Sequence, residues 1–324
     1  MRHWTGISLA VTFLAIPAAG SECLDRPAHQ ITVIQPGTYA QELDVSPPGD
    51  FHTYDMRGAE FANFPPEKPV SVRDRLKGAC IVGPRVVGQQ PRDLTWRQVK
   101  NCCDGDGVRF VIGSAASVGR VIGEGLWMDN VHDGFEAVRY STAAGMDYSW
   151  TLRHSYFRYV RDDVVENDAC LPGEVLDVLV DNSFTFISSR PGRGNDLDNG
   201  AMVPVIKVHD SLIHVGSDDL GGRPWKWPGS SSSCTPMPIL DVRNTVFRID
   251  RAHSGTMDWP EGTFQKVTVV WLGGGDFPVP LPAGVSITDD VQVWDAARSK
   301  WLERHGCDAN GNFCGKLLTS TIED

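Results

Sequence analysis

The sequence predicts an all-β solenoid, and three observations predict it. A short pattern recurs six times along the middle of the chain: an apolar residue, any residue, then Asn, Asp or His. The copies end at Asn101, Asn130, His154, Asn182, Asp210 and Asn244, stepping by roughly 24 to 34 residues, which is the period of a coil repeat. Alternation of apolar and polar residues runs through 178–184, 206–212 and 240–246, as half-buried strands require. Gly 33 and Pro 21 supply the many turns that such a repeat needs.

The elements follow in chain order. Met1-Arg2-His3-Trp4 is a short basic start, Thr5 to Ile16 is apolar and uncharged, and Ala18-Ala19-Gly20 offers small residues for cleavage. Residues 1–20 therefore read as a secretory signal, too short to span a bilayer. Residues 21–78 are proline-rich and weakly periodic, with one β-like run at Ile31 to Ile34, and read as an N-terminal cap over the open end of the solenoid. The coils occupy 79–290. Within them, period 2 puts each terminal Asn or Asp on the inward face. A buried amide needs a partner, and its equivalent one coil away, about 4.8 Å distant, supplies it. Residues 291–324 form a C-terminal cap, with a short amphipathic helix at Asp295 to His305 over the last coil and the Cys307/Cys314 loop pinning it.

The net charge of -11 argues against nucleic acid and against an anionic membrane surface. No second apolar run of spanning length follows the signal, so a soluble, monomeric protein is expected, secreted or periplasmic, without membrane insertion. All eight cysteines lie beyond residue 20, an even count that suggests disulfides in an exported protein. Cys307 with Cys314, Cys80 with Cys102 or Cys103, and Cys170 with Cys234 are the expected pairs. No spacing matches a common zinc site.

With its strand repeat and internal polar ladder (Asn101, Asn130, His154, Asn182, Asp210, Asn244), the chain resembles the pectate-lyase-like superfamily of single-stranded, right-handed parallel β-helices over roughly residues 79–290. The resemblance implies coils of three short strands and a substrate groove on the outside, near the turn after the third strand and along the first strand. It implies no named activity. The Gly-His-Gly and Asn-Thr-Asp signatures of polygalacturonases are absent, and Arg190-Pro191-Gly192-Arg193 is not the pectate-lyase Arg-x-Pro-x-x-Arg.

Stepping eight or nine residues from each ladder position gives a stacked column: Arg139, Asp162-Asp163, Arg190, Asp218-Asp219 and His253. Glu136, Arg161, Glu166, Asp168 and Arg193 join it from neighbouring coils. Two reactions suit this set. Hydrolysis would use Asp163 and Asp219, two coils and about 9–10 Å apart, near the upper end for an inverting pair, with Arg190 between them. β-Elimination on a uronate polymer would use Ca²⁺ held by Asp162, Glu166 and Asp168, with Arg190 or His253 near the abstracted proton. Arg139 and Arg193 would bind polysaccharide, and Trp225 and Trp227 in the 221–234 loop would stack on sugar rings. The bland readings stay open beside these: a salt-bridge ladder on a flat face, a structural Ca²⁺ site, and a tryptophan lid. His132-Asp133-Gly134 and Asp104-Gly105-Asp106-Gly107 read as turns. Two functions from different classes remain: a polysaccharide lyase or glycosidase, and a non-catalytic envelope or matrix scaffold that binds glycan or protein.

Overall fold

The computed structural model describes residues 21–47, 51–62, 68–74, 77–102, 105–113, 118–139, 147–190, 197–198, 202–216, 221–227, 234–253, 258–312 and 314–315. They form an all-β chain with two short helices and long parallel sheets, the arrangement of a parallel β-solenoid. Nine strands make the first row: Ile31–Val33, His52–Asp55, Gly78–Val82, Val118–Glu124, Asp147–Arg153, Gly173–Leu176, Val205–His209, Ile239–Arg243 and Gly262–Gln265. Each is followed by a second-row strand, from Gly37–Tyr39 through Trp127–Asp129 and Leu212–Val215 to Val267–Trp271 and Val285–Thr288. A third row contains Leu43–Val45, Val70–Asp74, Val108–Ile112, Phe135–Arg139 and Arg223–Lys226. Two long strands, Tyr156–Asn167 and Leu179–Ser188, bend from the second row into the third, joining both rows into one 15-stranded sheet.

The corner between first and second rows explains the sequence repeat. In seven of the nine corners the residue after the first-row strand has positive φ: Gly83 (74°), Gly125 (65°), His154 (50°), Asp177 (55°), Asp210 (53°), Asn244 (48°) and Lys266 (53°). Glycine tolerates this left-handed conformation, and Asn, Asp and His reach it more easily than other side chains. The expected six-rung ladder is thereby corrected. His154, Asp210 and Asn244 belong to this corner, whereas Asn130 (58°) and Asn182 (80°) belong to the next, with Tyr159 (58°). Asn101 lies in helix α1 (Trp96–Cys102). Rungs form only in part. The Asn244 amide donates to Asp210 Oδ1 at 3.1 Å, and His154 Nδ1 sits 3.0 Å from Asp177 Oδ2. The residue after the corner ties coils more regularly: Ser155 Oγ accepts from Leu126 N, and Ser211 Oγ accepts from Val178 N.

Apolar side chains fill the interior along the coils, among them Phe61, Phe110, Phe135, Trp150, Phe186 and Phe247. Among the described residues, the terminal segments run along the flanks of the coils. Ser21 to Arg26 lies against the first row, where Cys23 bonds Cys80, Thr53 Oγ1 donates to the Cys23 carbonyl at 2.7 Å and Ser21 Oγ donates to Glu124 at 2.7 Å. This corrects the expected pairing of Cys80 with Cys102 or Cys103; Cys102 is disulfide-bonded as well. Within 21–78, strands of all three rows have already formed. Their periodicity is weak because the first coil is open to solvent on its outer side, with Val33 59 % exposed. Helix α2 (Val291–Arg304) begins at Asp290, whose side chain accepts from Gln292 N. It lies along the second row rather than over the last coil. Trp294, Ala297, Trp301 and Leu302 cover a column formed by Trp127, Tyr156, Leu179, Leu212, Val246 and Val270. Cys307–Cys314 closes the turn beyond it, and Cys170–Cys234 is the third bridge, both as the sequence suggests. Among the described residues, no helix is long and apolar enough to cross a membrane.

Candidate functional site

The third row carries the charge. Its register aligns Ser71, Arg109, Glu136, Glu166, Ser188 and Lys226 in successive coils. A second column, toward the preceding corner, contains Asp163, Thr185 and Arg223. Asp133 flanks Asp163 from the coil before, its Oδ1 accepting from Asp163 N at 2.9 Å. Asp163 is fully buried, and Asp162, His132, Asp133 and Asp106 are buried with it. Helix α1 lies over this face. Its Trp96 ring stacks on Phe184 at 5.2 Å, and its Lys100 ammonium reaches Asp162 Oδ2 at 3.3 Å.

Lys226 organises the cluster from below. Its Nζ donates to Asp163 Oδ2 at 2.7 Å and to Asp162 Oδ1 at 3.3 Å. Burial lowers the affinity of this amine for its proton, but the two carboxylates more than offset that and hold Lys226 above the usual lysine range. His132 Nδ1 lies 2.9 Å from Asp133 Oδ2, and Lys68 bridges Asp106 and Glu136. Burial pushes Asp133 up, yet the His132 contact, the Asp163 amide and Lys226 together hold it below the usual carboxylate range. Asp163 moves the other way. Burial first, then the Asp162 charge, push it up to about 6, against the pull of Lys226. Burial and the surrounding carboxylates push half-buried Asp168 up to about 7 and raise Glu166 well above its ordinary value. Two adjacent carboxyl groups, Asp133 and Asp163, thus hold their protons very differently, the environment in which acid and base roles separate.

The residues expected from sequence fall in several places. Asp162 and Asp163 sit at the centre of the cluster. Two lysines hold the Asp162 oxygens, and its close metal-ligand grouping is with Asp133 and Asp163; Glu166 and Asp168 join none of these groupings among the described residues. Arg139 is buried on the third row opposite Ile112. Arg190 is exposed beyond the end of its strand, two residues past the column that leads to Lys226. His253 packs edge-on to Phe184 at 5.2 Å, and its N–H donates to the Gly222 carbonyl. Asp219 and Arg193 lie outside the described residues. Trp225 is a correction: it is 4 % exposed among Phe186, Phe247 and Trp259, so its ring is closed to a sugar. Trp227 is half-buried beside it. The fixed step from the ladder fails because two corners were merged into one, and because the register shifts between Val160 and Asp163.

Sequence reasoning passed over Lys226, His132, Asp133 and Asp106. A signal for the last three was present. The Asp106-Gly107 and Asp133-Gly134 steps stack, with Gly107 N donating to the Asp133 carbonyl and Gly134 N to that of Asp163. A Cβ at Gly134 would stand 2.6 Å from the Val164 carbonyl oxygen, so the close approach of coils excludes a side chain there. No protein-family model, curated protein or solved structure matches this chain.

Proposed function

We propose that the chain is an exported right-handed parallel β-helix of the pectate-lyase-like kind, and that it hydrolyses polysaccharide at the third-row carboxylates. One observation carries the chemistry: Asp163 is fully buried and protonated up to about pH 6, beside an ionised Asp133. Glycoside hydrolysis uses such a pair, one carboxylic acid to protonate the leaving oxygen and one carboxylate across the scissile bond. Asp163 takes the acid role and Asp133 the carboxylate role. Asp133, Asp162 and Asp163 offer oxygens within 4.8 Å of one another, which is closer to the spacing of a retaining pair, about 5–5.5 Å, than to an inverting one. Lys226 positions Asp163 and tempers its proton affinity. The three disulfides between described residues support export, because such bonds persist in oxidising compartments. Helix α1 must move aside for a polymer to reach Asp163.

A second reading, a binding scaffold without catalysis, is favoured by the completeness of that cover, since Asp162 and Asp163 are 2 % and 0 % exposed. Incubating the mature protein with neutral and acidic polysaccharides separates the readings. New reducing ends, lost in Asp163→Asn at constant fold, support hydrolysis. Absorbance near 235 nm reports an eliminase instead. Silence in both channels leaves the scaffold.

A further inference from the structure

Beside the Asp163–Lys226 pair lies a second constellation, which shares only Asp133 with the hydrolytic reading. Asp106, His132 and Asp133 come from adjacent coils, are 2–6 % exposed, and each offers one ligand atom within 4.8 Å of the others. The group is more than a patch of acid. Asp106 Oδ2 takes the Lys68 ammonium, but Asp106 Oδ1 is buried without a hydrogen-bond partner and lies 3.7 Å from His132 Nδ1. His132 Nδ1 in turn lies 2.9 Å from Asp133 Oδ2. The far ring nitrogen, Nε2, points toward a further carboxylate, Asp162 Oδ2, at 4.0 Å. That carboxylate is fixed by Lys226 and Lys100.

An imidazole and two carboxylates from adjacent coils make a donor set that one cation can bridge: His132 Nδ1 faces both carboxylates, and the nearer Asp106 oxygen has no hydrogen-bond partner of its own. Charge points the same way. Asp106, Asp133, Glu136, Asp162 and Asp163 are buried together, and the cations paired with them are Lys68, Lys100, Lys226 and Arg109. A doubly charged cation offsets the excess of carboxylates.

We propose that Asp106 Oδ1, His132 Nδ1 and Asp133 Oδ2 bind one first-row divalent cation of the Mn²⁺ or Zn²⁺ type. The donor set decides the class. Ca²⁺ and Mg²⁺ take oxygen ligands, whereas an imidazole with two carboxylates suits Zn²⁺, Mn²⁺ or Fe²⁺. The site differs from the Ca²⁺ set expected from sequence, with which it shares no residue.

The test uses the mature, EDTA-treated chain with Mn²⁺, Zn²⁺ and Ca²⁺ added singly. Isothermal titration should show one Mn²⁺ or Zn²⁺ per chain, with a matching rise in melting temperature that EDTA reverses. Ca²⁺ should compete weakly. His132→Gln and the near-isosteric Asp106→Asn should each weaken binding at least 10-fold; the second variant serves if the first fails to fold. Electron–nuclear double resonance on the Mn²⁺ form should show a nitrogen coupling that His132→Gln removes. Absence of saturable binding overturns the site, as does unchanged affinity in Asp106→Asn. Metal binding is read here without substrate, so this result stands or falls separately from hydrolysis.

Discussion

Two flanks of one solenoid, each covered by a helix, solve opposite problems. On the second row, α2 seals an apolar column with two tryptophans, and its polar contacts end on two carboxylates. Asp177 accepts from Trp301 Nε1 at 2.9 Å and meets His154, His305 and Arg304; Asp181 accepts from Arg298 Nε at 2.8 Å. Every acid there faces an excess of donors. On the third row, α1 covers carboxylates that crowd one another, with one stacking ring and one half-exposed lysine on top. The first flank is built for adhesion. The second holds like charges together, an arrangement that costs stability and that proteins keep where they do chemistry.

The contrast can be broken most forcefully from the α2 side. Trp301→Ala empties a buried site between α2 and Tyr156 and should cost about 3–5 kcal/mol in urea unfolding. A loss below about 1 kcal/mol would mean that α2 is not held by that face. On the third row, Lys226→Met strips Asp162 and Asp163 of their shared ammonium. Loss of a partner from a buried ion pair costs about 3–5 kcal/mol, and the melting temperature should recover on acidification, as Asp163 takes up a proton.

Stability against pH sharpens the comparison, because Asp177 on one flank and Asp163 and Asp168 on the other shift in opposite directions. Burial raises Asp177, but hydrogen bonds from His154 and His305 and the Arg304 charge bring it below the usual range. Its contribution is present above the unfolded carboxylate value near 4 and is lost as pH falls below it. Asp163 and Asp168 are raised, to about 6 and about 7. Unfolded, they have released their protons by about pH 5; folded, they hold them longer. Their contribution is therefore full below about pH 4 and lost as pH rises through 6 to 7. Asp177→Asn should flatten the acid limb of the melting curve against pH. Asp168→Asn should flatten the neutral limb and stabilise the chain at pH 8 by about 1 kcal/mol, discounted for its partial exposure. Limbs unchanged by either variant would refute the assignment. The smallest effect lies on the third row away from the carboxylate cluster: Arg73→Ala removes an exposed pair with Asp44 and should change stability by about 0–1 kcal/mol.

How much of this was legible in the sequence depended on which force left the mark. The corner residues were visible because positive φ restricts residue type at His154, Asp210 and Asn244. The same restriction operates at the second corner, so Asn130 and Asn182 looked identical to them, and a single ladder was drawn through two. Gly83 and Gly125 obey the rule too, but an isolated glycine signals nothing by itself. The centre of the site was half readable. Asp162 and Asp163 stood out as a charge run, while Lys226 was one lysine in a tryptophan-rich loop, and only the register with Ser188 and Glu166 brings it beneath them. The rings of Trp225 and Trp227 illustrate the limit. Composition cannot tell an interior tryptophan from a platform, because the strand phase that decides it depends on where the preceding corner ends.

The course of α2 has a mechanical consequence. In a solenoid each coil touches its neighbours alone, so such chains can peel open from an end, one turn at a time. Here the last described stretch of the chain doubles back: Trp127 Nε1 donates to the Gly311 carbonyl, and Arg158 grips Asn310 and Asn312. Force applied at the C-terminus would arrive first at the middle of the stack rather than at its final turn. The helix works as a splint, making distant turns yield together and turning a row of loosely coupled rungs into a single mechanical body.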